Sequence, residues 1–71
     1  MDVTVNGDTQ SVPDGEGNAG LTVRELLVHL GLTEGPVAVE VNQAIVPRAE
    51  HAKRKIVRGD VIEIVHLVGG G

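Results

Sequence analysis

Apolar and polar residues alternate at the start of the chain. In "DVTVNGDTQSV", Val3 and Val5 fall on one side and Asp2 and Thr4 on the other, the period of a half-buried strand. Asn6-Gly7, which tolerate positive φ, predict a tight hairpin turn into a short return strand near Thr9 to Val12. "PDGEGNAG", Pro13 to Gly20, reads as a connecting loop. It is not a phosphate loop, because no Lys-Ser or Lys-Thr pair follows its glycines. The period then changes. Val23, Leu26, Leu27 and Leu30 recur at i, i+3, i+4 and i+7, a helical stripe facing a core. Thr22 is the N-cap of that helix, Glu25 completes a capping box, and Leu21 and Leu26 take the hydrophobic-staple positions. Gly31 stands where a left-handed C-terminal cap is wanted.

Alternation returns in "VAVEV", with Val37, Val39 and Val41 on one face. Asn42-Gln43 predict a turn, and a short strand runs through Ile45 and Val46 until Pro47 ends it. "RAEHAKRK" has room for a single helical turn, and "IVRGD" turns the chain into a last strand, "VIEIVHLV". The order is hairpin, helix, strand, short strand, strand. It predicts an α+β fold of the β-grasp, ubiquitin-like type, a mixed sheet with one main crossover helix. The first and last strands would lie side by side and parallel in its centre, as the right-handed crossover rule permits. Residues 1–68 form the predicted domain, and residues 69–71 a flexible C-terminal glycine tail.

One helix covers only one face of such a sheet. Ile62, Ile64 and His66 are predicted to point to the helix, which leaves Val61, Glu63, Val65 and Leu67 on the open face. Val65 and Leu67, next to the tail, are the predicted partner interface, because apolar residues grouped on an open face suit docking.

At 71 residues the chain is one small domain, near the lower limit for folding unaided. It has no Cys, so neither a disulfide nor a thiolate metal site supports it. It has no Phe, Tyr or Trp either, and its core must be built from Val, Leu and Ile, which favour a sheet. A formal charge of −4 and the lack of aromatic stacking platforms argue against nucleic acid. No apolar run approaches the length of a membrane span, and nothing resembles a signal peptide, so a cytoplasmic location is expected.

Little of the remaining chemistry is enzyme-like. His29, His51 and His66 lack ligand spacing, so no metal is expected. Ser11, the only serine, lies in a predicted strand without a triad around it. Arg58-Gly59-Asp60 reads as the turn into the last strand, and Lys53-Arg54-Lys55 as a solvated face or a weak electrostatic contact with an acidic partner. No nucleophile, base or cofactor cradle remains, and the chain is not expected to be an enzyme by itself or to bind a cofactor.

The glycine end has one specific chemical use. A carboxylate is inert to nucleophiles until it becomes a mixed anhydride such as an acyl-adenylate. An enzyme that makes one must bring the carboxylate to the α-phosphate of ATP in a narrow, water-excluding site. Residues without Cβ can enter such a channel in conformations closed to other side chains. With no Cys in the chain, sulfur could be carried only at the C-terminus, as a thiocarboxylate. On that use Gly71 would be the reacting residue, and Gly69 and Gly70 would serve channel entry, although a linker's glycines look the same.

Over nearly its whole length the chain resembles the ThiS family of sulfur carriers in thiamine (thiazole) biosynthesis. The resemblance rests on "VTVNG", "TVRELLVHLGL", "VAVEVNQAIVPR" and "GDVIEIVHLVGGG", with "VNQAIVPR", Val41 to Arg48, the most specific stretch. Gly70-Gly71 match the family's terminal diglycine. The "PDGEGNAG" loop is longer than the family pattern, and a third glycine, Gly69, precedes the pair. The resemblance implies that a ThiF-type enzyme adenylates Gly71 with ATP, and that a cysteine-desulfurase-derived persulfide converts it to a thiocarboxylate. It further implies that thiazole synthase (ThiG-type) takes the sulfur, and that ATP and its metal belong to the activating enzyme. Two other readings stay open at this point. One is a MoaD-like carrier for molybdopterin synthesis, which shares the fold and the diglycine; compact length and "NQAIVPR" favour ThiS over it. The other is a non-catalytic ubiquitin-like interaction module.

Overall fold

A computed structural model describes residues 1–67 of the protein. The strands are β1 (Asp2–Val5), β2 (Asp8–Ser11), β3 (Leu21–Thr22), β4 (Val37–Val41), β5 (Ala44–Val46), β6 (Lys55–Ile56) and β7 (Val61–His66), with one α-helix, α1 (Val23–His29). Short 3-10 turns occupy Glu16–Asn18 and Arg48–Glu50. Five strands form a mixed sheet in the order β2-β1-β7-β4-β5. β1 and β7 run parallel, with Thr4 opposite Val61 and Val5 opposite Ile62, and all other pairs in the sheet are antiparallel. This is the predicted β-grasp arrangement. The predicted boundary between a domain ending at 68 and a glycine tail lies outside the described residues.

Both hairpins turn as their sequences require. Asn6-Gly7 adopt φ of 50° and 86°, and Asn42-Gln43 φ of 51° and 71°, so both central residues are left-handed, as in a type I′ turn. The return strand begins at Asp8, one residue before the predicted start, and Val12 is buried just beyond its end.

The helix is tied at both ends. The Thr22 hydroxyl accepts from the Glu25 N–H at 3.0 Å, and the Glu25 carboxylate accepts from the Thr22 N–H at 2.9 Å. The remaining N–H groups of the first turn are satisfied at a distance: Val23 donates to the Arg54 carbonyl and Arg24 to the His51 carbonyl, each at 2.9 Å. At the other end, Leu32 donates to the Leu27 carbonyl and Gly31 to the Val28 carbonyl, with Gly31 at φ 74°, a Schellman closure. Leu26 and Val23 are fully buried, as are Val41 and Ile62 of the sheet, in one core cluster whose buried members are all Val, Leu and Ile. Burying each such side chain stabilises the fold by about 1.5–3 kcal/mol.

Two features depart from the sequence reading. β3 and β6 form a separate two-residue antiparallel pair, Leu21 opposite Ile56 and Thr22 opposite Lys55. Two residues are too few for alternation to register. His66, expected to point to the helix, is exposed. Seven helical residues span about 10 Å, whereas six strand residues span about 20 Å, so α1 cannot cover the end of β7. Among the described residues no helix is long and apolar enough to cross a membrane.

Candidate functional site

β7 leads from the centre of the sheet towards the glycines, and polar side chains hold it along its length. Its first residue, Val61, donates its N–H to the Asn42 side-chain carbonyl at 2.9 Å. The Asn42 amide in turn donates to the Asp60 carboxylate at 3.0 Å, whose other oxygen accepts the Val57 N–H at 2.9 Å. Asp60 is therefore buried yet fully partnered, and it closes the turn from β6 into β7. Further along, the Asn6 side chain bonds both backbone groups of Ile64. The ladder with β4 continues past the last paired residue, since Leu67 donates to the Pro36 carbonyl at 3.0 Å. Backbone bonding thus holds the chain as far as Leu67.

Alternation along β7 buries Ile62 and Ile64 and turns Val61, Glu63 and Val65 outward. Val65 is 57% exposed and Leu67 51%. Ile45, which the sequence did not mark as an interface residue, is 76% exposed. It stands opposite Glu40, and Glu40 stands opposite Glu63. The open face therefore carries Ile45, Val65 and Val61 around two carboxylates set against each other across the strands, a pairing that costs stability by itself. Gly69, Gly70 and Gly71 lie outside the described residues.

The remaining candidates resolve simply. His29 is exposed on the helix. His51 is buried, with its Nε2 3.1 Å from the Val46 carbonyl, a structural bond with no signal in the sequence. Ser11 is exposed in β2, and Lys53, Arg54 and Lys55 are exposed. Among the described residues no group of three or more His, Cys, Asp or Glu is placed to hold a metal. Asn6, Asn42 and Asp60 were legible as turn residues, but their long-range bonds to β7 were not.

The chain matches the ThiS family over residues 3–71. It is 38% identical over 71 residues to the thiazole synthase of Paramagnetospirillum magneticum, an alignment covering 100% of this chain and 20% of that protein. It thus spans only 20% of the length of the first curated relatives it matches. It is 40% identical over 53 residues to the sulfur carrier protein ThiS of Escherichia coli, covering 75% of this chain and 80% of the relative. The crystal structure of a thiamine biosynthesis protein (ThiS) from Geobacter metallireducens aligns with a TM-score of 0.80 at 33% identity, over 100% of both chains.

Proposed function

The chain belongs to the ThiS family, and from that premise we propose that it is the sulfur carrier for thiazole formation in thiamine biosynthesis. It acts as a co-substrate of partner enzymes and not as an enzyme itself. The observation that carries this reading is a family match that runs to residue 71, so that the three glycines fall inside it.

The proposed chemistry begins at the Gly71 carboxylate. Held by a ThiF-type enzyme, a carboxylate oxygen attacks the α-phosphate of ATP, and pyrophosphate leaves. The resulting acyl-adenylate is open to the terminal sulfur of a cysteine-desulfurase-derived persulfide, which displaces AMP. Reduction of the sulfur–sulfur bond by a thiol then leaves a thiocarboxylate on Gly71. Thiazole synthase is the proposed acceptor. A relative named thiazole synthase that contains a stretch alignable with this entire chain supports that pairing. Gly69 and Gly70 supply the Cβ-free approach to the activating site. Val65 and Leu67, with Ile45, supply the apolar surface by which partners hold the sheet.

ATP–pyrophosphate exchange with a ThiF-type enzyme tests the first step. Exchange that requires this chain, and is lost when Gly71 is deleted, is expected. Exchange no greater than that of the enzyme alone contradicts the reading. Co-purification with a molybdopterin synthase large subunit in place of thiazole synthase would reassign the acceptor.

A further inference from the structure

A second surface lies apart from the open sheet face. A half-open groove of about 290 Å³ runs between the flank of α1 and residues 48–52, with residues of the 32–37 stretch completing its wall. Leu27, Val28 and Leu32 line it with aliphatic surface, and Arg24 and Arg48 line it with charge. Val28 is 59% exposed, a large apolar side chain that the core does not use. Arg24 precedes it by four residues and so shares its stripe of the helix. The walls are held together by the bond from the Arg24 N–H to the His51 carbonyl and by the His51 ring against Val46.

The charge of these two side chains is opposite in sign to the chain's net charge. The chain carries a formal −4, yet both arginines of the groove are exposed. Among the described residues neither has a carboxylate at ion-pair distance, the one ion pair being the Met1 amino group with Asp14. Guanidinium groups match planar carboxylates with paired hydrogen bonds. We infer that this groove binds an acidic segment of a partner protein, an extended peptide that lays an aliphatic side chain on Leu27, Val28 and Leu32 and its carboxylates on Arg24 and Arg48.

Other ligand classes fit less well. The volume lies at the lower edge of small-molecule sites, which disfavours a nucleotide. Two cations on an acidic chain cannot neutralise a run of nucleic-acid phosphates. Place matters too: Pro36 lines the groove, and its carbonyl receives the Leu67 N–H. A partner seated here would lie near Leu67 while the open sheet face stays free for a second protein. This inference does not depend on the carrier reading.

The test is an NMR titration of the isotope-labelled full chain with an acetylated, amidated Glu-Leu-Asp-Leu-Glu peptide. Saturable amide shifts at Val28, Leu32, Val37 and Ala52 are expected, weakening as salt is added. The folded R24Q/R48Q double variant should bind about tenfold more weakly. Because Val28 is exposed, V28S should also fold and also bind less. A Lys-Leu-Lys-Leu-Lys peptide should leave the groove signals in place. Equal binding of the basic peptide, shifts confined to the open face, or displacement of the peptide by equimolar ATP would overturn the inference. So would peptide binding that appears only after residues 68–71 are deleted, since the groove would then belong to the chain's own end.

Discussion

The side-chain amide of Asn6 pairs with both backbone groups of Ile64: its Oδ1 accepts the Ile64 N–H at 2.7 Å and its Nδ2 donates to the Ile64 carbonyl at 3.0 Å. β1 ends at Val5, so a side chain extends the parallel β1–β7 pairing after the backbone has turned away. Asn42 serves the start of the same strand at Val61. Two hairpin asparagines at φ 50° and 51° thus hold the strand that leads to the glycines.

Asn6→Ala removes both bonds and places a Cβ-bearing residue without a compensating side chain at positive φ. A loss of about 2–3 kcal/mol is expected from urea denaturation. Asn6→Gly keeps the backbone freedom and should lose less. Equal midpoints for wild type and Asn6→Ala would mean that β7 does not depend on this clamp.

The capping box predicts a pH effect. The Thr22 backbone N–H, and secondarily its hydroxyl, hold the Glu25 carboxyl below its ordinary 4.5. A carboxyl with a lower pKa in the folded state contributes stability above its unfolded value and loses that contribution as pH falls through the folded one. Stability should therefore decline below pH 4.5 less steeply in Glu25→Gln than in wild type. At neutral pH Thr22→Ala should cost about 1 kcal/mol, as loss of an N-cap does. An unchanged denaturation midpoint for Thr22→Ala would contradict the observed helix start.

Gly20 and Gly59 both have positive φ, 94° and 84°, but differ in their surroundings. A Cβ on Gly20 would lie 2.8 Å from the Ile56 carbonyl oxygen, where β3 meets β6, whereas nothing lies within 4 Å of one on Gly59. Gly59→Ala should cost about 1–2 kcal/mol through backbone strain alone. Gly20→Ala should cost more, because the strand pair must also move apart. Equal losses in urea denaturation would show that the β3–β6 contact is yielding.

The helix was legible down to its caps because Thr22, Glu25 and Gly31 act on neighbours three to five residues away. The sheet order was legible too, because Val3/Val5, Val37/Val39/Val41 and Ile62/Ile64 each mark one buried face. The exposure of Val65 was legible for the same reason. What escaped was long-range. Asn6 meets Ile64 across 58 residues, and β3 meets β6 across more than thirty, so neither leaves a local pattern. His51 looked like one of three idle histidines until the 3-10 turn at Arg48–Glu50 brought it under Val46. Ile45 stood in a motif used for recognition, and only the register against Glu40 reveals it on the open face.

Val65→Asp and Leu67→Asp place a charge on exposed positions at and just beyond the end of β7. Stability should change by no more than about 0.5 kcal/mol. Binding to the activating enzyme should weaken, and this is best measured by calorimetric titration. Undiminished binding by both folded variants would remove these residues from the interface.

The central claim is that the Gly71 carboxylate carries sulfur, and intact mass spectrometry of the C-terminal fragment tests it most directly. The full chain is incubated with ThiF-type enzyme, ATP and a persulfide donor, alongside versions lacking Gly71 or extended by one alanine. The account predicts replacement of one oxygen by sulfur at the end of the full chain, and none in the altered chains. Conversion of the alanine-extended chain to the same extent would contradict it.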